Sequence, residues 1–321
     1  MKIYLNKTCD LSEIKHNLDA HNVFFDIHEI DEKLVLFIDD LDFQRVNKII
    51  NAEFIEDIMP IYDLKLTLRL HHPEDTIIKV KNCQIGGNKK VVIAGPCAVE
   101  DENTMRLIGQ KAKKCGVNVL RGGAFKPRTN PYSFQGLYEH GLSILKNIGD
   151  EFDLPIISEI TDIDYLDKFI ECVDIIQVGA RNMQNFALLE KLGKVNKPIL
   201  LKRGFNNTIE ELLCSAEYIM KNGNEQVILC ERGIRTPLSY TRSTLDLSSV
   251  AILKEVTHLP VIVDPSHGTG KRKLILPMSK ASFSVGADGV LLEAHISPNK
   301  AMSDSEQTIS FEEVEKIIKS I

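Results

Sequence analysis

The sequence predicts an α/β chain, a (β/α)8 TIM barrel preceded by a small ferredoxin-like α+β domain. Three observations lead there. From Val91 onward, eight short apolar runs alternate with longer helical patterns, as expected for parallel strands covered by helices. Four segments, Val91–Glu100 (VVIAGPCAVE), Val117–Thr129 (VNVLRGGAFKPRT), Pro260–Arg272 (PVIVDPSHGTGKR) and Gly289–His295 (GVLLEAH), open on apolar β-branched residues and close on groups that bind metals or anions. Strand ends converging on one site are how such a barrel builds its active site. The first 61 residues read in the order β-α-β-β-α-β, that of a ferredoxin-like unit.

In the N-terminal part, Met1–Leu5, Val23–Ile30, Lys33–Ile38 and Phe54–Ile61 read as strands. Asp10 opens a helix to about Ala20, with Glu13 placed to complete a capping box. Phe43–Ile50 reads as the second helix. Leu64–Val80 reads as a connecting strand or hairpin, and Gly86-Gly87-Asn88 as a turn. The expected organisation is a domain over 1–65, a linker or barrel entry over 66–90, and the barrel over 91–321. Its strands are Val91–Gly95, Asn118–Arg121, Pro155–Glu159, Ile175–Gly179, Ile199–Lys202, Val227–Cys230, Val261–Val263 and Val290–Leu292. Helices are expected at Thr104–Cys115, Tyr165–Ile170, Phe186–Lys191, Ile209–Met220 and Phe311–Ser320, the last with a Ser310/Glu313 capping box.

A chain of 321 residues accommodates a barrel of about 250 residues and one small domain. A formal net charge of −6 argues against a general nucleic-acid or membrane-surface binder, and the lack of Trp against a base-stacking platform. No apolar stretch approaches the ~18 residues of a membrane span, and MKIYLNKTCD lacks the apolar core of a signal peptide. Seven scattered cysteines fit a reducing cytoplasm, with Cys115, Cys172 and Cys214 expected on helices and Cys230 in a strand.

Two constellations carry chemistry. Cys97 follows the first barrel strand, His267 the seventh, Glu293 ends the eighth, and Asp304 lies in the loop beyond. In a closed barrel these strands are neighbours. A thiolate, an imidazole and two carboxylates suit Mn, Fe, Co or Zn better than Mg or Ca. The competing interpretation is a buried core thiol and an ordinary loop histidine. The second constellation is cationic: Arg121, Lys126 and Arg128 after strand two, Arg181 after strand four, Lys202 and Arg203 at strand five, Arg232 and Arg235 after strand six. Gathered at strand ends of an acidic chain, they point to one or two phosphorylated anions. Local pairing is expected for Arg203 or Arg235 before Arg121, Lys126 or Arg181. Gly268-Thr269-Gly270-Lys271 resembles a phosphate loop but lacks the glycine five residues before Gly270, and Gly122-Gly123 is too short for a dinucleotide fingerprint.

AGPCAVE, LRGGAFKPRTNPYSFQG, QVGARNMQN, LLKRG, CERG, DPSHGTGKR and LLEAH together resemble 3-deoxy-D-arabino-heptulosonate 7-phosphate (DAHP) synthase from about Leu70 to the C-terminus, in its type I-beta branch. Some members of that branch carry an N-terminal ferredoxin-like regulatory domain. The resemblance implies a transferase of the shikimate pathway, which leads to chorismate and the aromatic amino acids. It condenses phosphoenolpyruvate with erythrose 4-phosphate and requires one divalent metal ion per subunit. By similarity, Cys97, His267, Glu293 and Asp304 hold the metal. Arg121, Lys126, Arg181, Lys202 and Arg232 hold phosphoenolpyruvate, with Glu159 beside it. Lys126-Pro127-Arg128-Thr129 hold erythrose 4-phosphate. Lys126, Glu159, Cys97 and His267 are the candidate catalytic residues, and which of Lys126, Glu159 and metal-bound water moves each proton is open. The resemblance further implies a homo-oligomer, a tetramer in the family, and feedback control through the N-terminal unit with Tyr or Phe as effector; a structural or oligomerising module is the competing interpretation of that unit.

The nearest rival is 3-deoxy-D-manno-octulosonate 8-phosphate synthase, which uses arabinose 5-phosphate. That family has a Lys-Ala-Asn-Arg-like segment where this chain has Lys126-Pro127-Arg128-Thr129. A silent binding protein is the rival from another class, and the complete ligand and cation set argues against it.

Overall fold

The structure, a computed structural model, describes residues 1–30, 32–38, 46, 48–59, 64–126 and 130–321. Two compact units emerge: Met1–Pro73 with Glu255–His258, and Glu74–Lys254 with Leu259–Ile321.

In the first unit, β1 (Lys2–Leu5), β2 (Phe25–Ile30), β3 (Lys33–Ile38) and β4 (Ile55–Met59) form an antiparallel sheet in the order β2-β3-β1-β4. That order is the ferredoxin-like one expected from the element sequence. Period-2 side chains turn Ile3 and Leu5, with Leu36 and Ile38 from β3, onto one face. Ile14 and Leu18, four apart on the helix Leu11–Ala20, cover that face together with Val46, Ile49 and Ile50. Asp10 caps the helix by accepting from the Ser12 and Glu13 backbone N–H groups. The expected box there is one-sided, for no return bond from the Glu13 side chain forms. Val46, Lys48 and Ile49 are helical, while Phe43–Arg45 and Asn47 of the expected second helix lie outside the described residues.

In the second unit, β5 (Ile78–Val80) and β6 (Cys83–Ile85) make a short antiparallel hairpin. Eight parallel strands then close into a barrel in chain order: β7 (Val91–Gly95), β8 (Val119–Arg121), β9 (Ile156–Ile160), β10 (Ile175–Val178), β11 (Ile199–Lys202), β12 (Val227–Glu231), β13 (Val261–Val263) and β14 (Gly289–Glu293). Closure pairs Gly289 to Val91 and Glu293 to Gly95. The hairpin residues Ile78, Val80, Cys83 and Ile85 pack with Val91, Val119 and Ile175, the first residues of three strands, so they plug the N-terminal end.

Several helices between strands start where side chains satisfy free N–H groups. Asp101 caps Glu102–Cys115, and complete capping boxes at Thr208/Glu211 and Ser310/Glu313 open Ile209–Lys221 and Phe311–Ile318. A five-residue helix, Pro265–Thr269, begins directly after β13 with Asp264 as its cap and Pro265 in its first turn. The sequence pattern predicts a loop here, and the cap and proline make it a short helix instead. Cys115, Cys172 and Cys214 fall on helices and Cys230 in β12, all as free thiols. Among the described residues, no helix is long and apolar enough to cross a membrane.

Candidate active site at the C-terminal mouth of the barrel

The apolar interior of the barrel includes Ile93, Val119, Ile157, Ile175, Leu200, Ile228, Ile262 and Leu291. Side chains two residues on face the same way along a strand. That next inward layer reads Gly95, Arg121, Glu159, Gln177, Lys202, Cys230, Asp264 and Glu293. Four of the predicted site residues, Arg121, Glu159, Lys202 and Glu293, therefore occupy one polar layer stacked on an apolar one. Gly95 and Gly179 make room for it. A Cβ on Gly95 would meet Arg121 O at 2.1 Å, and one on Gly179 would meet Glu159 Oε1 at 2.0 Å.

Cys97, Glu293 and Asp304 offer donor atoms that all lie within 4.8 Å of one another, close to twice a metal–donor bond of about 2.0–2.3 Å. His267 Nε2 joins them, 3.3 Å from Glu293 Oε1 and 3.7 Å from Asp304 Oδ2. The four donors match a borderline divalent transition metal. Neighbouring groups fix the set. Ser303 Oγ lies 3.0 Å from Cys97 Sγ, Gln307 Nε2 donates to Glu293 Oε2 at 2.5 Å, and Arg121 Nη1 stands 3.2 Å from Glu293 Oε1. His267 Nδ1 donates to Asp264 Oδ2 at 2.7 Å, which turns Nε2 toward the other donors.

The electrostatics fit an ion as well. Burial, then Glu293, pushes the Cys97 thiol up to about 12. Burial acts the same way on Glu293 and Asp304 but is outweighed. His267 and Arg121 hold Glu293 below the ordinary carboxyl range, and His267, Arg242 and Lys126 do so for Asp304. Burial of Asp264 is likewise outweighed by His267 and Lys202, which hold its carboxyl well below that range. A divalent cation offsets such a concentration of carboxylates and favours the thiolate over the thiol.

Beside the donors opens a polar cavity of about 200 Å³, lined by Lys126, Glu159, Arg181, Lys202, Arg232 and Arg242 with Phe205, His267 and Asp304. Arg181 and Arg232 lie over the Phe205 ring at 5.7 and 4.9 Å. Arg232 is held by Ser243 Oγ and the Gly233 carbonyl, both at 3.0 Å. Lys126 Nζ donates to Cys97 O at 2.7 Å, and Glu159 accepts from Gln177 at 3.0 Å. His267 and Asp304 belong to both the donor cluster and the cavity wall, so a metal-bound group and an anion would be neighbours.

Not every strand-end cation points here. Arg121 is buried against Glu293 behind the cavity lining. Arg203 Nη1 sits 3.0 Å from both Glu231 and Asp246. Arg235 lies over Phe205 at 4.7 Å and lines a neighbouring hollow with Asn206 and Thr208. Pro127, Arg128 and Thr129 lie outside the described residues.

Sequence reading did not single out Asp264, Gln307, Arg242, Ser303 or Phe205. Asp264-Pro265, a cap followed by proline, carried a usable signal for the short helix that holds His267. Arg242 and Gln307 meet 65 positions apart, Nη1 to Oε1 at 3.1 Å, with no local pattern to announce it.

The DAHP synthetase I family model matches residues 75–321. Phospho-2-dehydro-3-deoxyheptonate aldolase of Thermotoga maritima is 44% identical over 314 residues, covering 97% of this chain and 93% of that protein. 2-Dehydro-3-deoxyphosphooctonate aldolase of Syntrophotalea carbinolica is 30% identical over 263 residues, covering 76% of this chain and 94% of that one. The crystal structure of the Thermotoga maritima DAHP synthase superposes with a TM-score of 0.80 at 42% identity, covering 99% of this chain and 95% of that chain. A truncated form of 3-deoxy-D-arabino-heptulosonate 7-phosphate synthase from the same organism gives 0.75 at 46% identity, covering 80% and 94%. The chain belongs to the DAHP synthetase I family.

Proposed function

We propose a division of labour at this mouth for DAHP synthesis, the condensation of phosphoenolpyruvate, D-erythrose 4-phosphate and water to DAHP and phosphate. One observation carries it: the S/N/O donor set and the cationic cavity share His267 and Asp304. Cys97, His267, Glu293 and Asp304 would hold one divalent ion per subunit, and their mixed donors favour Mn, Fe, Co or Zn. When bound, the ion supplies Lewis-acid polarisation of the aldehyde carbonyl.

Arg181, Lys202 and Arg232 hold the phosphate and carboxylate of phosphoenolpyruvate from the cavity wall, and Arg121 supports them from behind. Lys126 with Pro127, Arg128 and Thr129 takes erythrose 4-phosphate, Arg128 and Thr129 its phosphate. Paired cations offset the repulsion of two anions and bring the reacting carbons together. C3 of phosphoenolpyruvate then bonds to the aldehyde carbon, whose oxygen takes a proton from Lys126 Nζ. Positive charge develops at C2. Water adds there as Glu159 accepts its proton, and the hemiketal loses phosphate by C–O cleavage as its hydroxyl proton leaves. Phosphoenolpyruvate labelled with 18O in the bridging position tests this order of bonds. The label is expected in the released phosphate. Label retained in the sugar acid would mean P–O cleavage and would refute the sequence.

The octulosonate reading is less favoured, since those relatives reach only 30% identity over 76% of the chain. We assign residues 1–65 a regulatory role, with Tyr or Phe as effector, in a cytoplasmic homotetramer. In support, the N-terminal unit has its own ferredoxin-like sheet and its own core. Deleting 1–65 is expected to abolish inhibition and keep turnover, while inhibition that persists in the truncated enzyme would refute the assignment.

A further inference from the structure

Asp264 follows β13 at the inward position above Ile262 and is 0% exposed. Its Oδ2 accepts from two donors, Lys202 Nζ at 2.6 Å and His267 Nδ1 at 2.7 Å. Its Oδ1 accepts from the His267 backbone N–H at 2.9 Å. A carboxylate accepts only, so Nδ1 carries a hydrogen, and the bond to Asp264 turns the ring so that Nε2 faces the donor cluster. Lys202, meanwhile, lines the anion cavity. A single oxygen atom is thus divided between a cation of one site and an imidazole of the other.

We propose that Asp264 is a positioning residue that couples the two sites, so that phosphoenolpyruvate at Lys202 and a divalent metal at His267 strengthen each other through the shared Oδ2. The inference rests on the roles given above to Lys202 and His267. An anion that draws the Lys202 ammonium toward the cavity leaves Oδ2 to His267 and makes Nε2 a stronger donor. A cation on Nε2 polarises the Nδ1–H bond toward Oδ2 and loosens Lys202 for the anion. Linkage requires both routes to give the same coupling factor.

Asp264→Asn tests this in the full-length protein: it removes the negative charge that both donors share, and its NH2 must face either the His267 backbone N–H or both Lys202 and His267 Nδ1. Co(II) affinity is read from thiolate-to-cobalt absorption with and without phosphoenolpyruvate, and phosphoenolpyruvate affinity by calorimetry with and without Co(II). Asp264→Asn is expected to weaken Co(II) binding by about 10–100-fold. It should also reduce the coupling factor by about fivefold or more, leaving only through-space attraction. A wild-type coupling factor in Asp264→Asn overturns the proposal. Lys202→Met and His267→Ala separate this from failure of the underlying roles. If the first leaves phosphoenolpyruvate affinity unchanged, or the second Co(II) affinity, the role assignment falls. Should Asp264→Asn not fold, 15N spectra of wild-type His267 decide. Phosphoenolpyruvate is expected to shift the Nδ1 resonance, and an unmoved resonance overturns the coupling.

Discussion

Arg121 Nη1 stands 3.2 Å from Glu293 Oε1, with both side chains buried, so the cationic end of β8 and a proposed metal donor on β14 form one charge pair. Removing one partner of such a pair leaves a charge in a low-dielectric site, at a cost of about 3–5 kcal/mol. Arg121→Met is therefore expected to lose about that much stability in metal-free protein. A divalent ion on Glu293 substitutes for the lost guanidinium. The deficit in denaturant unfolding should shrink on metal loading, and equal deficits with and without metal would contradict the shared pair.

Cys97 gives a proton-linked prediction. With its thiol pushed up to about 12 by burial and Glu293, the metal-free site is protonated at neutral pH. A thiolate donor must lose that proton on binding. Metal affinity should rise about tenfold per pH unit on this account, with a proton released on loading. An indicator dye in weak buffer would register the release, and Cys97→Ala should release one proton fewer. Identical release in both proteins would remove Cys97 from the donor set.

Stability of the metal-free protein should fall on both sides of neutrality. Asp264, Glu293 and Asp304 have depressed folded values. Their contribution is complete above the unfolded range of about 4 and is lost as pH falls through the lower folded values. Glu231, raised by burial, works the other way in acid. Cys97 and Cys230 are raised, so their contribution is complete below about 8.5 and is lost as pH rises. Thermal melts across this range test the signs, and the acid limb should be shallower for Asp264→Asn.

Gly179 is kept small by Glu159. A methyl group there would stand 2.0 Å from Glu159 Oε1. The glycine lies at φ −69, which any residue adopts, so the conflict is with the side chain alone. Gly179→Ala is expected to retain metal binding but lower kcat by about 10²-fold or more through displacement of the carboxylate. Wild-type kcat in this variant would argue against proton transfer by Glu159.

How much of this was legible follows from how local each signal is. The barrel strands are short apolar runs bounded by turns and caps, and their ends were readable to within a residue or two. The hairpin Ile78–Ile85 was not resolved from a plain connecting strand, because three residues on each side give too little periodicity. Lys202 and Arg203 are neighbours in sequence, yet period-2 alternation sends Lys202 inward to Asp264 and Arg203 to Glu231. The same alternation, applied to each strand end in the sequence, separates inward from outward charges. Asp264, Gln307 and Arg242 escaped notice because their partners come from other strands and loops.

The most direct test is phosphate release from phosphoenolpyruvate by purified protein with erythrose 4-phosphate or arabinose 5-phosphate, before and after chelation. The account predicts turnover with erythrose 4-phosphate that stops on chelation and returns with Mn. Turnover with arabinose 5-phosphate alone, or none with either sugar after Mn is restored, would contradict it.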